Sequence, residues 1–177
     1  MVDGIRDFQR KHLLSVDGIV GRDTANKIKG VFCDCNVLFA SHFLGQLAHE
    51  TGSFKYDYEL ITQDTANRNY GDRMGNNLPG EGFKFRGRGA IMLTGKNNYT
   101  AFSKSMNDPE ILDRPNVVAE KYYFECAKWF FDTNNLWRYC TKLSDDNIRQ
   151  LTRRINGGYN GLQDRIDKTK YYHNLLS

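Results

Sequence analysis

The sequence of 177 residues predicts a mainly helical α+β fold with one small β-hairpin. Four segments repeat apolar residues at spacings of three and four, the period of one helix face. A middle region rich in glycine and asparagine, 67–98, lies between the first two of them. Inside it, Arg86-Gly87-Arg88-Gly89 leads into a short apolar run, Ala90–Thr94, which is typical of a strand or hairpin.

The first two helices are predicted over 36–51 and 116–132. In the first, the apolar stripe runs from Val37 to Ala48, and Gly52 follows as a C-terminal stop. In the second, an aromatic stripe that favours a core position begins shortly after Pro115, and proline is tolerated at a helix start.

The last two helices are predicted over 145–155 and 161–176. Ser144 is a favourable N-cap residue, and two aspartates follow it at the positive end of the helix. Gly157 ends the third helix. Apolar residues from Leu162 to Leu176 define one side of the fourth.

Composition and charge limit the classes of partner. The formal charge is +4, which suits a bacterial wall, nucleic acid or an acidic polysaccharide. No nucleic-acid-binding motif is present, and no apolar stretch reaches the length of a membrane span, so we expect neither a nucleic acid nor a membrane partner. The charged first residues predict no secretory signal.

The four cysteines predict reduced thiols rather than a metal site. Cys33 and Cys35 are separated by one residue, a poor spacing for zinc, and no histidine cluster completes a site. Cys126 lies on the apolar side of its helix, and a bridge from it to Cys140 stays open.

Two glutamates are candidates for acid–base chemistry. Glu50 lies where the first long helix ends, beside its apolar stripe, and Glu59 follows nine positions later. A carboxyl group beside apolar side chains loses hydration of its charged form, which favours the protonated acid. A second, better hydrated carboxylate can act as a base, and two such groups are typical of glycoside hydrolysis. The alternative is that both are ordinary surface charges.

Three segments in register carry a resemblance to a known family. They are His49-Glu50-Thr51-Gly52, then Gly87–Gly95 with Asn98-Tyr99, then Ile155-Asn156-Gly157-Gly158 with Asp164-Arg165. In this order they resemble glycoside hydrolase family 19, the chitinase-like lysozymes, and most closely its bacteriophage endolysins. The resemblance covers about 36–175. It implies a lysozyme-like, two-lobed fold with the hairpin lining the cleft, and a catalytic domain over 33–177.

The resemblance implies roles for seven residues. Glu50 matches the general acid, Glu59 the general base, and Thr94 the hydroxyl that holds the attacking water. The remaining four match substrate-binding or supporting positions: Asn98 and Asn156 as sugar-binding asparagines, Tyr99 as an aromatic residue of the cleft wall, and Arg165 as the arginine paired with the acid. Met92 departs from the family's glutamine, and a thioether cannot replace the hydrogen bonds of an amide.

The N-terminal segment 1–32 resembles part of a peptidoglycan-binding repeat. Its Asp17-Gly18-Ile19-Val20-Gly21 run marks a tight turn, with helical stretches on both sides. The segment is about half the length of such a module. It either binds the wall independently or packs on the catalytic domain in place of its first helix.

The resemblance implies an endolysin that hydrolyses β-1,4 bonds of peptidoglycan glycan strands with inversion. We expect a monomer with no metal or organic cofactor. It would be made in the host cytoplasm and reach the wall in the periplasm after the membrane is permeabilised. Three alternatives are a chitinase on the same fold, a non-catalytic wall-binding protein and a lytic transglycosylase.

Overall fold

A computed structural model describes residues 3–177, which form eleven α-helices and one 3-10 turn over Leu136–Tyr139. The helices are α1 (Asp3–Lys11), α2 (Arg22–Phe32), α3 (Val37–Glu50), α4 (Gln63–Tyr70), α5 (Glu81–Lys84), α6 (Lys96–Met106), α7 (Glu110–Asp113), α8 (Val117–Glu120), α9 (Glu125–Thr133), α10 (Asp145–Asn156) and α11 (Leu162–Leu176).

Three of the four predicted helices are confirmed as α3, α10 and α11. Side-chain caps fix two of their starts. The Asn36 side chain accepts a hydrogen bond from the backbone N–H of Phe39, and Ser144 accepts one from that of Asn147. Such caps satisfy backbone donors that have no partner inside the helix.

The predicted helix over 116–132 is interrupted, and this prediction was wrong in its continuity. The chain forms α8 and α9 with a break at residues 121–124. Within that break, the carbonyl of Tyr123 accepts a hydrogen bond from the N–H of Ala90, 2.9 Å away. In a continuous helix, the carbonyl of Tyr123 would accept a hydrogen bond from the backbone N–H four residues later. Here it bonds to Ala90 instead.

The predicted hairpin is not confirmed, because residues 3–177 form no strand and only isolated bridges join Arg88 to Tyr58 and to Leu93. Arg88 and Leu93 exchange both backbone hydrogen bonds, but the residues between them form a tight turn. In that turn Gly89 and Met92 have positive φ angles of 72° and 52°. The pairing ends after one residue pair because the following Gly95 bonds instead to the carbonyl of Phe85.

The N-terminal segment shares one apolar core with the rest of the chain. The ring of Phe8 lies 5.1 Å from that of Phe124, and the ring of Phe32 lies 6.4 Å from that of Phe43. Packing is therefore continuous across the predicted boundary between residues 32 and 33. This arrangement agrees with the alternative in which the segment packs on the catalytic part.

All four cysteines are free, so Cys126 and Cys140 are not bridged. Cys33, Cys126 and Cys140 are buried, and burial raises the pKa of the Cys33 and Cys126 thiols to about 12. Such thiols remain protonated and unreactive at neutral pH.

A helix that spans a membrane must be long and predominantly apolar. Within residues 3–177 no individual helix meets these criteria, and α2 and α3 meet them only jointly, across a bend of 113°.

Helices α3 and α11 pack closely at the centre of the protein. A Cβ atom built on Gly45 would lie 2.2 Å from the Thr169 hydroxyl and 2.7 Å from its Cα. Glycine at this position therefore allows the two backbones to approach each other.

We predict that Gly45→Ala lowers the free energy of unfolding by about 1–3 kcal/mol, the range for overpacking. Chemical denaturation would measure it. The control is Gly30→Ala in α2, where a Cβ meets nothing within 4 Å. Since alanine favours a helix by roughly 0.5–1 kcal/mol over glycine, this variant should be stabilised. Equal destabilisation of the Gly45 and Gly30 variants would contradict the close packing of α3 against α11 at Gly45.

Candidate active site

A cleft of about 690 Å³ runs between the end of α3, the loop after it, the turn at 91–94 and the end of α10. Five of the seven predicted site residues line it: Glu50, Glu59, Thr94, Asn98 and Asn156. Other lining residues are Tyr56, Tyr58, Leu60, Tyr70, Met74, Ile91, Met92, Leu93, Phe130 and Ile155. Two carboxyl groups thus meet one cavity with a partly aromatic wall, the composition expected of a ligand site.

Glu50 is the last residue of α3, and its side chain is 20% exposed. Its Oε1 lies 2.6 Å from Nη2 of Arg165, whose own side chain is 2% exposed. This carboxyl group therefore has a buried positive partner in addition to its apolar neighbours. Charge-assisted contacts of this kind fix the position of a carboxylate.

Arg165 is buried beside Glu50, which is the pairing that the resemblance implies. It does not line the cleft, so it supports the site through Glu50 and not by direct contact with a bound molecule. Its Nη1 donates to Oε1 of Gln46 at 2.5 Å, and its Nε donates to the carbonyl of Asn160 at 3.2 Å. Gln46 in turn lies 3.4 Å from the hydroxyl of Thr152. The guanidinium therefore joins α11 to α3 through Nη1 and Nη2, and its Nε bonds to the loop before α11.

Glu59 is held by two donors. The hydroxyl of Tyr70 donates to Oε1 at 2.6 Å, and the backbone N–H of Gly87 donates to Oε2 at 3.3 Å. Burial and the bond to Glu59 raise the pKa of Tyr70, so the phenol keeps its proton and remains a donor. Neither Tyr70 nor Gln46 was predicted as a site residue.

Thr94 and Glu59 converge at Gly87. A Cβ atom on Gly87 would lie 3.3 Å from the Cβ of Glu59 and 3.4 Å from the Thr94 hydroxyl oxygen. That hydroxyl donates to the carbonyl of Met92 at 2.8 Å. With its proton committed, the Thr94 oxygen can only accept a hydrogen bond from a molecule in the cleft.

Tyr99 is fully buried, so its predicted place in the cleft wall was wrong. Its hydroxyl donates to the carbonyl of Arg86 and accepts from Nη1 of Arg88, at 2.8 and 3.1 Å. Burial raises the pKa of this phenol to about 12. Tyr99 therefore positions the loop that carries Gly87 and does not itself line the cleft.

Asn98 and Asn156 lie at the cleft as predicted. The amide of Asn98 donates to the carbonyl of Thr94 at 2.8 Å, which leaves its oxygen for a ligand. Asn156 is exposed and ends α10 before Gly157, whose φ of 74° is typical of a helix C-cap glycine. Within residues 3–177, no group of three or more histidine, cysteine, aspartate or glutamate residues could hold a metal ion.

We predict that Arg165→Met lowers the free energy of unfolding by about 3–5 kcal/mol, because removing one partner leaves the other partly buried and unpaired. The loss should shrink when Glu50→Gln is already present. Lys170→Met is the control on the same helix, since its exposed pair with Asp145 should contribute about 0–1 kcal/mol. If Arg165→Met lowered the free energy of unfolding equally in wild type and in Glu50→Gln, the two side chains would not be energetically coupled.

Comparison with known proteins matches two parts of the chain. Residues 1–28 match the family described as a putative peptidoglycan binding domain. A glycosyl hydrolase family 19 domain-containing protein of Haemophilus influenzae is 33% identical over 174 residues, covering 80% of this chain and 80% of the relative.

Two endochitinases of Arabidopsis thaliana are each 33% identical over 117 and 119 residues, or 65% of this chain. The chain spans 38% of the length of each of these plant proteins.

Solved structures share the fold at lower identity. A class IV family 19 chitinase of Zea mays has a TM-score of 0.60 and 21% identity, covering 86% of this chain and 77% of that one. Chitinase C of Streptomyces griseus has a TM-score of 0.58 and 18% identity, covering 99% and 92%. The similarity to the Haemophilus protein, together with this fold, shows that the chain belongs to glycoside hydrolase family 19 and is a glycoside hydrolase.

Proposed function

We propose that this protein hydrolyses β-1,4 glycosidic bonds of bacterial peptidoglycan by single displacement with inversion. The observation that carries the proposal is that Glu50 and Glu59 line one cleft but have different partners, a guanidinium for Glu50 and a phenol with a backbone N–H for Glu59. Carboxyl groups in unlike environments can divide the roles of acid and base.

Glu50 is the general acid in this proposal. Arg165 contacts its Oε1, which leaves Oε2 to carry the proton toward the glycosidic oxygen. The hydrogen bond from Arg165 fixes the orientation of the carboxyl group at the end of a buried helix. A fixed acid within reach of the leaving oxygen is the geometric requirement for proton transfer.

Glu59 and Thr94 hold the attacking water. The water donates one hydrogen to Glu59, whose carboxylate has free lone pairs beyond the two that Tyr70 and Gly87 use. It donates the other hydrogen to the Thr94 oxygen, which can only accept. The lone pair of the water is then directed at the anomeric carbon, and Glu59 takes the proton as the new bond forms.

Inversion follows from a water that attacks opposite the leaving group. An inverting pair of carboxyl groups stands roughly 6.5–9.5 Å apart to leave room for this water, whereas a retaining pair is closer. A second contact to the water, from Thr94, supports direct attack by water rather than by Glu59 itself.

Peptidoglycan is favoured as the substrate because residues 1–28 match a putative peptidoglycan binding domain. The net charge of +4 also suits an anionic polymer. Chitin is the second candidate, since the plant relatives are named endochitinases. The resemblance to phage enzymes is the basis for proposing an endolysin that acts on the wall in the periplasm once the membrane has been breached.

We predict that Glu50→Gln abolishes lysis of outer-membrane-permeabilised cells while the protein stays folded. Glu59→Gln should reduce the rate by about 10²–10⁴-fold, the usual cost of losing an acid or base. A turbidity assay measures both, with circular dichroism as the folding control. Lysis by the Glu50 variant within tenfold of wild type would reject the assigned acid.

The choice of substrate is tested by the release of reducing ends from purified peptidoglycan and from colloidal chitin. Mass analysis of the peptidoglycan products distinguishes hydrolysis from transglycosylation, because a lytic transglycosylase leaves an anhydro sugar. Exclusive cleavage of chitin, or an anhydro product, would overturn this proposal.

We predict that Tyr70→Phe lowers kcat by about tenfold with little change in KM, because a carboxylate that loses a fixed donor is less precisely oriented. Steady-state kinetics on soluble glycan fragments would measure both constants. The control, Tyr171→Phe, removes an exposed phenol outside the cleft and should leave kcat unchanged. A rise in KM alone would mean that Tyr70 acts on substrate binding rather than on Glu59.

A further inference from the structure

Arg138, Arg153 and Arg154 lie around one cavity at α10. Arg149 lies further along the same helix, with its guanidinium 4.8 Å from the centre of the Tyr159 ring. We call Arg138, Arg149, Arg153 and Arg154 the arginine patch. Within residues 3–177 none of them forms an ion pair with a carboxylate, although ten other ion pairs are present. The negative end of the helix dipole favours Arg153 and Arg154 in the last turn, but it does not explain Arg138 or Arg149.

The hydroxyl of Tyr139 holds two of these guanidinium groups in place. It accepts hydrogen bonds from Nη2 of Arg138 at 2.8 Å and from Nε of Arg154 at 3.1 Å. Desolvation alone would raise the pKa of Tyr139, but the two arginine donors outweigh it and lower that pKa. The backbone of Tyr139 is fixed as well, because its carbonyl accepts from the amide of Asn147 at 2.9 Å. The patch is therefore partly preorganised.

A cavity of about 370 Å³ opens within the patch. Its lining residues are Tyr139, Gln150, Arg153, Arg154 and Gly157, with no acidic side chain among them. A concave site with guanidinium groups and no counter-charge is suited to a carboxylate or phosphate, which arginine can bind with two parallel hydrogen bonds.

The patch is continuous with the catalytic cleft. Arg149, Arg153 and Asn156 follow one another at spacings of four and three, so they share one face of α10. Asn156 lines the cleft, while Arg153 lines the outer cavity. From residue 149 to residue 156, at about 1.5 Å per residue, this face extends about 10 Å away from the cleft. A polymer that runs from Asn156 along this face would place its substituents over the arginines.

We propose that the arginine patch binds the carboxylate groups of the peptide stems that project from the peptidoglycan strand in the cleft. This inference rests on the proposed function and deepens it. The stems are attached to the same chain that is cut, they carry free carboxylates, and they occur at regular intervals along it. Chitin has no carboxylate, so the patch would distinguish the two polymers that the cleft itself could accept.

The test compares wild type with Arg153→Gln/Arg154→Gln on three soluble substrates of equal length. These are glycan strands with stem peptides, the same strands after amidase removal of the peptides, and chitin oligosaccharides. The charge-matched control is Lys84→Gln/Lys104→Gln, which removes two exposed lysines that lie outside both cavities and form no ion pair within residues 3–177.

Wild type should prefer the strands that carry stems. The arginine variant should lose about tenfold in kcat/KM on those strands, since two charge-assisted contacts are removed, and less than twofold on the other two substrates. The lysine variant should lose less than twofold on all three. Added salt should reduce the preference of wild type, because exposed charges are screened.

Equal losses on strands with and without stems would overturn the assignment. The assignment would also be overturned if the arginine variant kept the preference of wild type for strands that carry stem peptides. If inhibition by a phosphate polymer such as teichoic acid depends on the patch while cleavage of stem-bearing strands does not, the occupant is a phosphate and the carboxylate assignment is wrong.

Binding of a disaccharide–tetrapeptide, followed by NMR titration of wild type and the arginine variant, separates this inference from the proposed function. Loss of binding in the variant supports the patch even if no peptidoglycan strand is cleaved. Equal binding to both proteins contradicts the patch even if cleavage proceeds as proposed.

Discussion

The buried contact between Arg165 and Glu50 is the constraint on which the active site depends. A guanidinium that is 2% exposed must have its donors satisfied, and here they are shared among Glu50, Gln46 and a carbonyl of the loop before α11. The same contact fixes Glu50, the proposed acid, and joins α3 to α11. Next to it, His49 lies 2.6 Å from Asp164 and fastens the same two helices. The contact between Arg165 and Glu50 therefore contributes both to stability and to the proposed catalysis, and substitution of either residue should affect both.

A second buried arginine organises the opposite wall. Arg88 donates to Asn116, to the carbonyls of Lys84 and Arg86, and to the Tyr99 hydroxyl, with no carboxylate partner within residues 3–177. These contacts hold the loop whose Gly87 binds Glu59 through both of its backbone groups. Each wall of the cleft thus contains one buried arginine. Arg165 bonds directly to the Glu50 carboxyl group, whereas Arg88 holds the loop whose Gly87 bonds to Glu59.

The sequence predicts the long helices well and the tertiary details poorly, for physical reasons. Periodic apolar residues and local caps define α3, α10 and α11, and the family resemblance identifies Glu50, Glu59 and Thr94, which the structure places in one cleft. The pairing of Arg165 with Glu50 is implied by the resemblance alone, because it depends on packing across 115 residues, which no local pattern records. Local patterns also fail to record Tyr70 beside Glu59, the break before α9, and the turn that replaces the hairpin.

Helix α10 connects these features. Its buried face contributes Thr152 to the hydrogen-bond network of Arg165, and its end contributes Asn156 to the cleft. Its exposed side carries Arg149, Arg153 and Arg154, and none of them pairs with a carboxylate within residues 3–177. A single helix therefore supports the proposed acid, lines the cleft and presents a positive surface beside it. Because rigid elements position binding groups more precisely than loops, this helix is the element best placed to set which polymer is cleaved.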